Sequence, residues 1–316
     1  MNALFIGLGS IGTRHLNNLT ALCQKRGLPL TIHALRSDLT RPLRPGVAEK
    51  LDAQLTALND PRAAAHYDMV FITNPTSLHA GALRAVRGRA GALFIEKPVL
   101  ERTDYDLNEL LAPGQKAYVA APMRWCGAML ALKEALPALH PYCARVLCSS
   151  YLPDWRPGVD YRTVYSAHRA LGGGVAIDLI HEWDYLVDLF GMPLSLHNFK
   201  GTYSALELDS DDLSVYIARY PTMLAEVHLD YFGRGYRRSI ELFCRDGSAV
   251  ADFGAGTLTL PDGAVRHCEE DVNERYLREL DYFIDYAAGE QAESLNPPRM
   301  ALDVLRLTLG ETEDGQ

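Results

Sequence analysis

The chain has 316 residues, 48% of them hydrophobic, with a net charge of −9 at pH 7. That is enough apolar material to bury two domains of ordinary size, and the acidic balance argues against a nucleic-acid partner, whose phosphates need a basic face. No apolar run approaches the roughly 20 residues of a membrane span, no signal-peptide pattern opens the chain, and the six cysteines (Cys23, Cys126, Cys143, Cys148, Cys244, Cys268) show no Cys-x-x-Cys pair. A soluble, reduced, cytoplasmic protein is expected, with no disulfide, no bound metal and no membrane partner.

Ala3–Ile6 is a short apolar run, the mark of a buried parallel strand. It runs into Gly7-Leu8-Gly9-Ser10-Ile11-Gly12 and then a helical pattern to about Leu22. Strand, Gly-x-Gly-x-x-Gly and helix in this order read as a dinucleotide site. Gly7 permits the tight turn, Gly9 lets the backbone approach a pyrophosphate, and Gly12 lets helix and strand pack closely. The helix N-terminus, beginning at Ser10 and Ile11, offers its free N–H groups to the phosphates.

The second strand, about Leu30–Leu35, ends at Arg36-Ser37-Asp38. An acidic residue at this strand end bonds the ribose 2′-hydroxyl of NAD, whereas arginine suits a 2′-phosphate. Arg36, with Ser37 as an added donor, therefore favours NADP(H) among the NAD(P)(H) pair. Two alternatives stay open: Arg36 stacking on the adenine, and Asp38 bending back to the ribose.

Asp68–Thr73 is the next strand and ends in Asn74-Pro75-Thr76, followed by a helix carrying His79. Ligands of such sheets bind outside the carboxyl ends of the strands, so Asn74 and Pro75 are placed against the cofactor. His79 reads either as structural or as a further contact. Strand Ala92–Ile95 delivers Glu96-Lys97-Pro98, and a lysine at that strand end can reach both cofactor and substrate. Glu96 is included with the cofactor contacts. A further strand, Ala117–Ala121, leads to Met123-Arg124-Trp125.

The glycine fingerprint, Asn-Pro with a nearby His, Glu-Lys-Pro and Arg-aromatic, in that order, resemble the Gfo/Idh/MocA oxidoreductases (the glucose–fructose oxidoreductase and inositol dehydrogenase type). The resemblance covers essentially the whole chain. It implies an α/β protein: an N-terminal Rossmann dinucleotide-binding domain, 1–122, and a C-terminal α+β domain, 123–316, with an open, mostly antiparallel sheet that binds substrate and supports oligomerisation. It also implies an NAD(P)-dependent dehydrogenase or reductase acting on CH–OH groups.

Ala144–Tyr151 reads as a strand. It opens a polar-aromatic segment containing Trp155, Arg156, Tyr161 and Arg162, with His168 following. Flat apolar faces suit sugar rings and arginine suits carboxylate or phosphate, so these residues and Arg124 are taken as substrate contacts, an ordinary surface loop being the alternative. After Gly172-Gly173-Gly174 a helix is expected to carry Asp178 and His181, three apart and on one face. An acid and an imidazole so placed suit proton transfer. The family resemblance assigns a substrate-binding Asp and a catalytic His to this helix, completed by Lys97. Here the spacing is one residue shorter, Glu182 occupies the next position, and the shortening bears on Asp178 more than on His181.

Beyond this, Leu213–Tyr220, Leu224–Tyr231, Ser239–Cys244, Ala249–Phe253 and Thr257–Leu260 alternate as sheet strands, and Tyr276–Ala287 and Arg299–Leu309 read as amphipathic helices before an acidic tail, Gly310–Gln316. An open sheet of this size needs cover, so a homo-oligomer, dimer or tetramer, is expected. The functional expectation is interconversion of a hydroxyl and a carbonyl on a sugar, sugar derivative or cyclitol, with a bearing on surface-sugar biosynthesis. Lys97, His181 and Asp178 are the catalytic candidates. The alternatives are an epimerase or hydrolase that retains its NAD, and a dinucleotide-sensing protein without turnover.

Overall fold

The computed structural model describes residues 1–311, which divide into two compact units. The first comprises Met1–Ala121 with Tyr276–Leu302; the second comprises Pro122–Arg275 with the residues from Asp303. The acidic tail expected at the end of the chain lies, from residue 312, outside the described residues.

In the first unit, β1 (Asn2–Ile6), β2 (Thr31–Leu35), β3 (Ala53–Leu55), β4 (Tyr67–Ile72), β5 (Ala90–Ile95) and β6 (Lys116–Val119) form one parallel sheet. Its order is β3-β2-β1-β4-β5-β6. The order reverses between β1 and β4, where an open sheet of this kind leaves a crevice for a ligand. Burial on both faces accounts for the unbroken apolar runs in β1, β4 and β5.

Register explains the centre of this unit. Phe5 lies opposite Phe71 from neighbouring strands, Phe71 opposite Phe94, and Phe94 opposite Tyr118. The four rings form a row across one face, with successive centroids 4.4, 5.4 and 5.7 Å apart. On that face α1 (Ser10–Arg26) buries Leu16, Leu19 and Cys23.

The same row explains a departure from the expected boundary. The resemblance places all of 123–316 in the second domain, but Tyr276–Leu302 belongs to the first unit. The helix Val272–Ala288 presents Leu280, Phe283 and Ile284 to the row, and Phe283 meets Phe71 and Phe94 edge-on at 5.6 and 5.1 Å. Such edge contacts add about 0.5–1.5 kcal/mol each beyond the apolar area buried. The fully buried Glu279 accepts the Tyr118 hydroxyl at 2.9 Å. Asn296 pairs with the backbone of Val119, covering the outer strand.

The second unit holds an eight-stranded sheet of β7 (Cys143–Tyr151), β8 (Ser195–Gly201), β9 (Leu213–Arg219), β10 (Leu224–Asp230), β11 (Phe232–Cys244), β12 (Gly247–Asp252), β13 (Thr257–Thr259) and β14 (Val265–His267). The order is β14-β13-β12-β11-β7-β10-β9-β8, and every pair is antiparallel except β7 with β10. The open, mostly antiparallel sheet implied by the family resemblance is present. Burial alternates along β9 and β10, so one face is packed and the other is not. Trp183 and Tyr185, from the helix His181–Phe190, pack edge-on Tyr216 and tilted against Phe253. Among the described residues no helix is long and apolar enough to cross a membrane, and no group of His, Cys, Asp and Glu is placed to hold a metal.

Candidate functional site

The fingerprint turn of the first unit is fixed by steric demand. Gly7 has φ +99°, and a Cβ there would lie 2.6 Å from the Asn74 nitrogen. A Cβ on Gly12 would lie 2.3 Å from the Gly7 carbonyl oxygen. Thr73 donates its hydroxyl to that same carbonyl at 2.5 Å, tying the turn to the end of β4. Gly9 is different: a Cβ there would meet nothing within 4 Å. Among the described residues none demands glycine at Gly9, whereas a backbone-hugging pyrophosphate does. Gly9 is also the N-cap of α1, and no side chain caps that end. The N–H groups from Ser10 through Gly12 are therefore presented as an anion site.

At the end of β2, Arg36 donates to Gln54 Oε1 at 2.6 Å and to the Arg41 carbonyl. Asp38 does not bend back to the strand. Its Oδ1 accepts from both the backbone and the hydroxyl of Thr40, and these bonds hold its carboxyl below the usual range. Ser37 is exposed. Beyond Arg36 a groove of about 380 Å³ is lined by Thr40, Arg41, Arg44, Glu49 and Gln54. Arg41 and Arg44 form no ion pair among the described residues.

The Asn74-Pro75 turn stands beside Gly7, and Asn74 Oδ1 is buried with no partner among the described residues. An orphaned acceptor at a sheet's switch point fits a ligand amide or hydroxyl. The residues of this turn, the open position at Gly9 and the uncapped helix together fit a nicotinamide dinucleotide.

Two residues expected at the cofactor are found elsewhere. His79 is 1% exposed, and its ring nitrogens face the carbonyls of Asn74 at 3.0 Å and Val99 at 3.1 Å. Glu96 is turned inward, with Oε1 2.6 Å from Nε2 of the fully buried His15. Burial pushes the Glu96 carboxyl up, but the His15 hydrogen bond and the charges of His15 and Lys97 outweigh it and hold it below the usual value. Lys97 itself is half-buried, and the Lys97–Pro98 peptide is cis.

In the second unit the expected continuous helix is broken. Val175–Asp178 is a single turn and His181 starts a new helix, so the two residues do not share one helical face. Asp211 anchors the short turn, receiving the Ala176 N–H at 3.0 Å on its carboxylate. The Asp178 carboxylate is buried and accepts two hydroxyls, Tyr165 at 2.7 Å and Tyr231 at 2.6 Å. Burial, with the Asp178 charge behind it, pushes both phenols far above their ordinary range, so both remain donors. Trp155 stands edge-on to Tyr231 with centroids 5.2 Å apart, and the Arg156 guanidinium lies over the Tyr165 ring at 5.8 Å. The polar-aromatic segment thus packs on the two tyrosines that hold Asp178. A cavity of only about 10 Å³, room for one water, remains beneath it, between Leu152, Trp155, Tyr161 and Val164.

The other substrate candidates have protein partners. Arg124 is 3% exposed and bidentate to Asp184 at 2.9 and 2.7 Å, with Asp188 at 3.0 Å. It locks the start of this unit to the helix His181–Phe190 and is not presented to a ligand. Glu182 is bidentate to Arg238 and fully buried. Arg162 pairs with Asp160 and Glu207 at the surface, the Tyr161 hydroxyl accepts from the Glu207 N–H, and His168 contacts the Arg162 carbonyl.

Tyr231 carried no sequence signal, lying 53 residues beyond Asp178. Tyr165 stood within the aromatic segment, and His15 three residues past Gly12 on the fingerprint helix.

No protein-family model matches the sequence, and no curated protein matches it. Solved structures do match along its length. Levoglucosan dehydrogenase, in complex with NADH and levoglucosan, superposes with a TM-score of 0.79 at 15% identity over 98% of this chain and 95% of that one. The WlbA dehydrogenase from Bordetella pertussis, with NADH and UDP-GlcNAcA, gives 0.78 at 16% identity over 100% and 97%. The UDP-N-acetylglucosamine 3-dehydrogenase GnnA from Acidithiobacillus ferrooxidans gives 0.68 at 18% over 98% and 95%. The chain has their fold. These neighbours are dehydrogenases of the Gfo/Idh/MocA type, the family that the motifs resemble.

Proposed function

We propose that the protein is an NAD(P)-dependent oxidoreductase that interconverts a hydroxyl and a carbonyl on a sugar or sugar derivative. The observation that carries this reading is the turn at the sheet's switch point. Gly9 is free of any packing demand there, above an uncapped helix and beside the orphaned acceptor of Asn74. The sugar class is supported by the structural neighbours, two of which, levoglucosan dehydrogenase and the Bordetella pertussis WlbA dehydrogenase, were solved with NADH and a sugar ligand.

Gly7, Gly9, Ser10, Ile11 and Gly12 would hold the pyrophosphate, and Asn74 and Pro75 would face the nicotinamide end. The bound cofactor supplies hydride transfer to or from the sugar carbon. Lys97 hydrogen-bonds the reacting oxygen and stabilises its developing negative charge. His181 exchanges the hydroxyl proton. Asp178, a carboxylate held in place by two tyrosine donors, is the group assigned to a substrate hydroxyl. Trp155 and Arg156 are retained as substrate contacts, with Tyr161, Arg162 and His168 shaping their loop. Arg124 leaves the substrate set because its donors are taken, and Glu96 and His79 leave the cofactor set.

NADP(H) is favoured over NAD(H). Asp38 is committed to Thr40, Arg36 stands at the strand end and would exchange its bonds to Gln54 and the Arg41 carbonyl for a 2′-phosphate, and Arg41 and Arg44 add positive charge to the groove beyond it. The unpacked face of the second sheet exposes Phe199, Ile217 and Leu224 on neighbouring strands, and we propose that a second copy of the chain covers it.

The test of function is a screen of sugars, sugar acids and nucleotide sugars with both oxidised and both reduced cofactors, following nicotinamide absorbance. Lys97→Met is expected to lower kcat/KM by about a hundredfold, and His181→Asn to lower kcat by about 10²–10⁴-fold with cofactor affinity kept. Wild-type turnover in either folded variant would remove that residue from the chemistry.

A further inference from the structure

The turn Lys97-Pro98 is held from both sides by buried histidines that the reaction itself does not use. On the near side, Glu96 binds His15, which projects from the fingerprint helix α1. Its other carboxylate oxygen receives the Lys97 backbone N–H at 3.2 Å. His15 is fully buried and packs its ring on Phe94 at 4.7 Å, so the imidazole has no freedom to follow a wandering carboxylate. On the far side, the Val99 carbonyl faces His79 Nδ1, and His79 Nε2 faces the Asn74 carbonyl. His79 is therefore lodged between the lysine turn and the Asn74-Pro75 turn, and as a neutral ring it donates its one N–H to one of the two carbonyls at a time. Lys97 sits between two residues, Glu96 and Val99, each facing a histidine of a different helix, His15 of α1 and His79 of the helix His79–Val86.

We infer that His15 and His79 are positioning residues that clamp the Lys97-Pro98 turn, so that the fingerprint helix and the Asn74 turn set where the lysine stands. The inference rests on the reading of Lys97 given above, but the geometry belongs wholly to the first unit. A side chain asked to stabilise charge at one atom must be fixed to within about half an ångström. A half-buried lysine on a short turn does not acquire that precision from its own rotamers, whose freedom is large. Hydrogen bonds to the residues on either side supply it, in the way that outer-shell partners orient ligands at metal sites. This assigns buried roles to the two residues expected at the cofactor: Glu96 acts through Lys97, and His79 acts through the two turns.

The clamp is tested on the full chain without sugar or cofactor, by backbone hydrogen exchange read by mass spectrometry. Exchange reports local opening separately from global unfolding. His15→Leu should speed exchange at least tenfold in peptides covering 94–100 while β4 stays slow. His79→Leu should speed exchange in both 94–100 and 73–78. His15→Gln, which keeps a donor near the Nε2 position, should return 94–100 to within about threefold of wild type. Leu19→Ala opens a cavity in the same core without touching the clamp, and should leave 94–100 slow at a comparable loss of Tm. If His15→Leu does not fold, Glu96→Ala breaks the same link and is read in its place. Wild-type exchange at 94–100 in the histidine variants would overturn the clamp, as would an equal rise in Leu19→Ala. Titration of the same proteins with NADH and NADPH separates the two readings. A wild type that binds neither removes the oxidoreductase reading, whatever the exchange data show of the clamp.

Discussion

Arg124 shows why a residue's type and place in the chain are not enough. An arginine after the last strand of a dinucleotide-binding sheet invites a substrate role, but its charge is buried against Asp184 and Asp188. Removing one partner of a buried ion pair leaves the other charge uncompensated, a loss of about 3–5 kcal/mol. Arg124→Ala should therefore fall by that amount in urea unfolding; stability within 1 kcal/mol of wild type would return Arg124 to the ligand-contact class. His79 gives a pH signature. Burial holds its pKa below the ordinary 6.5, against the hydrogen bonds to Val99 and Asn74 and the nearby charges of Glu96 and Glu101. The unfolded chain then binds a proton that the folded chain resists. Its contribution is complete above 6.5 and is lost as pH falls through 6.5 toward the lower folded value. Wild type should lose stability between pH 7.5 and 5.5, and His79→Gln should lose measurably less over that interval. Equal losses would mean that folding leaves the His79 pKa unchanged.

At the scale of the element, the turn from β1 into α1 combines a packing demand with a functional one. Gly12→Ala drives a methyl against the Gly7 carbonyl and the Thr73 hydroxyl, whereas Gly9→Ala points it into open space. Gly12→Ala should lower Tm clearly. Gly9→Ala should leave Tm within about 2 °C and weaken dinucleotide binding at least tenfold; unchanged binding would mean that no phosphate approaches Gly9. This motif was legible in the sequence because its spacing states its geometry, as were the apolar strands β1, β4 and β5. The helix expected through Asp178 and His181 was not continuous. Its apolar periodicity is present in both pieces, but the break after Asp178 is set by tertiary partners, Tyr165, Tyr231 and Asp211, which periodicity does not encode. The return of Val272–Ala288 to the first sheet was hidden for the same reason. Its amphipathic stripe was visible, but the aromatic row it packs on exists only once strand register is set.

Across the whole molecule, two architectures divide the labour. The parallel sheet offers a switch point with an open glycine and a lysine on a clamped turn. The unit with the mostly antiparallel sheet carries, on the helical turn Val175–Asp178, a buried carboxylate fixed by two phenols, with His181 opening the next helix. The measurement that tests this account most directly is a fluorescence titration of the full chain with NADPH and NADH. The account predicts saturable binding of both, with NADPH tighter by about tenfold, the value of one charge-assisted hydrogen bond to the 2′-phosphate. It also predicts that Arg36→Ala loses that advantage while keeping NADH. Failure of the folded protein to saturate with either dinucleotide would contradict it.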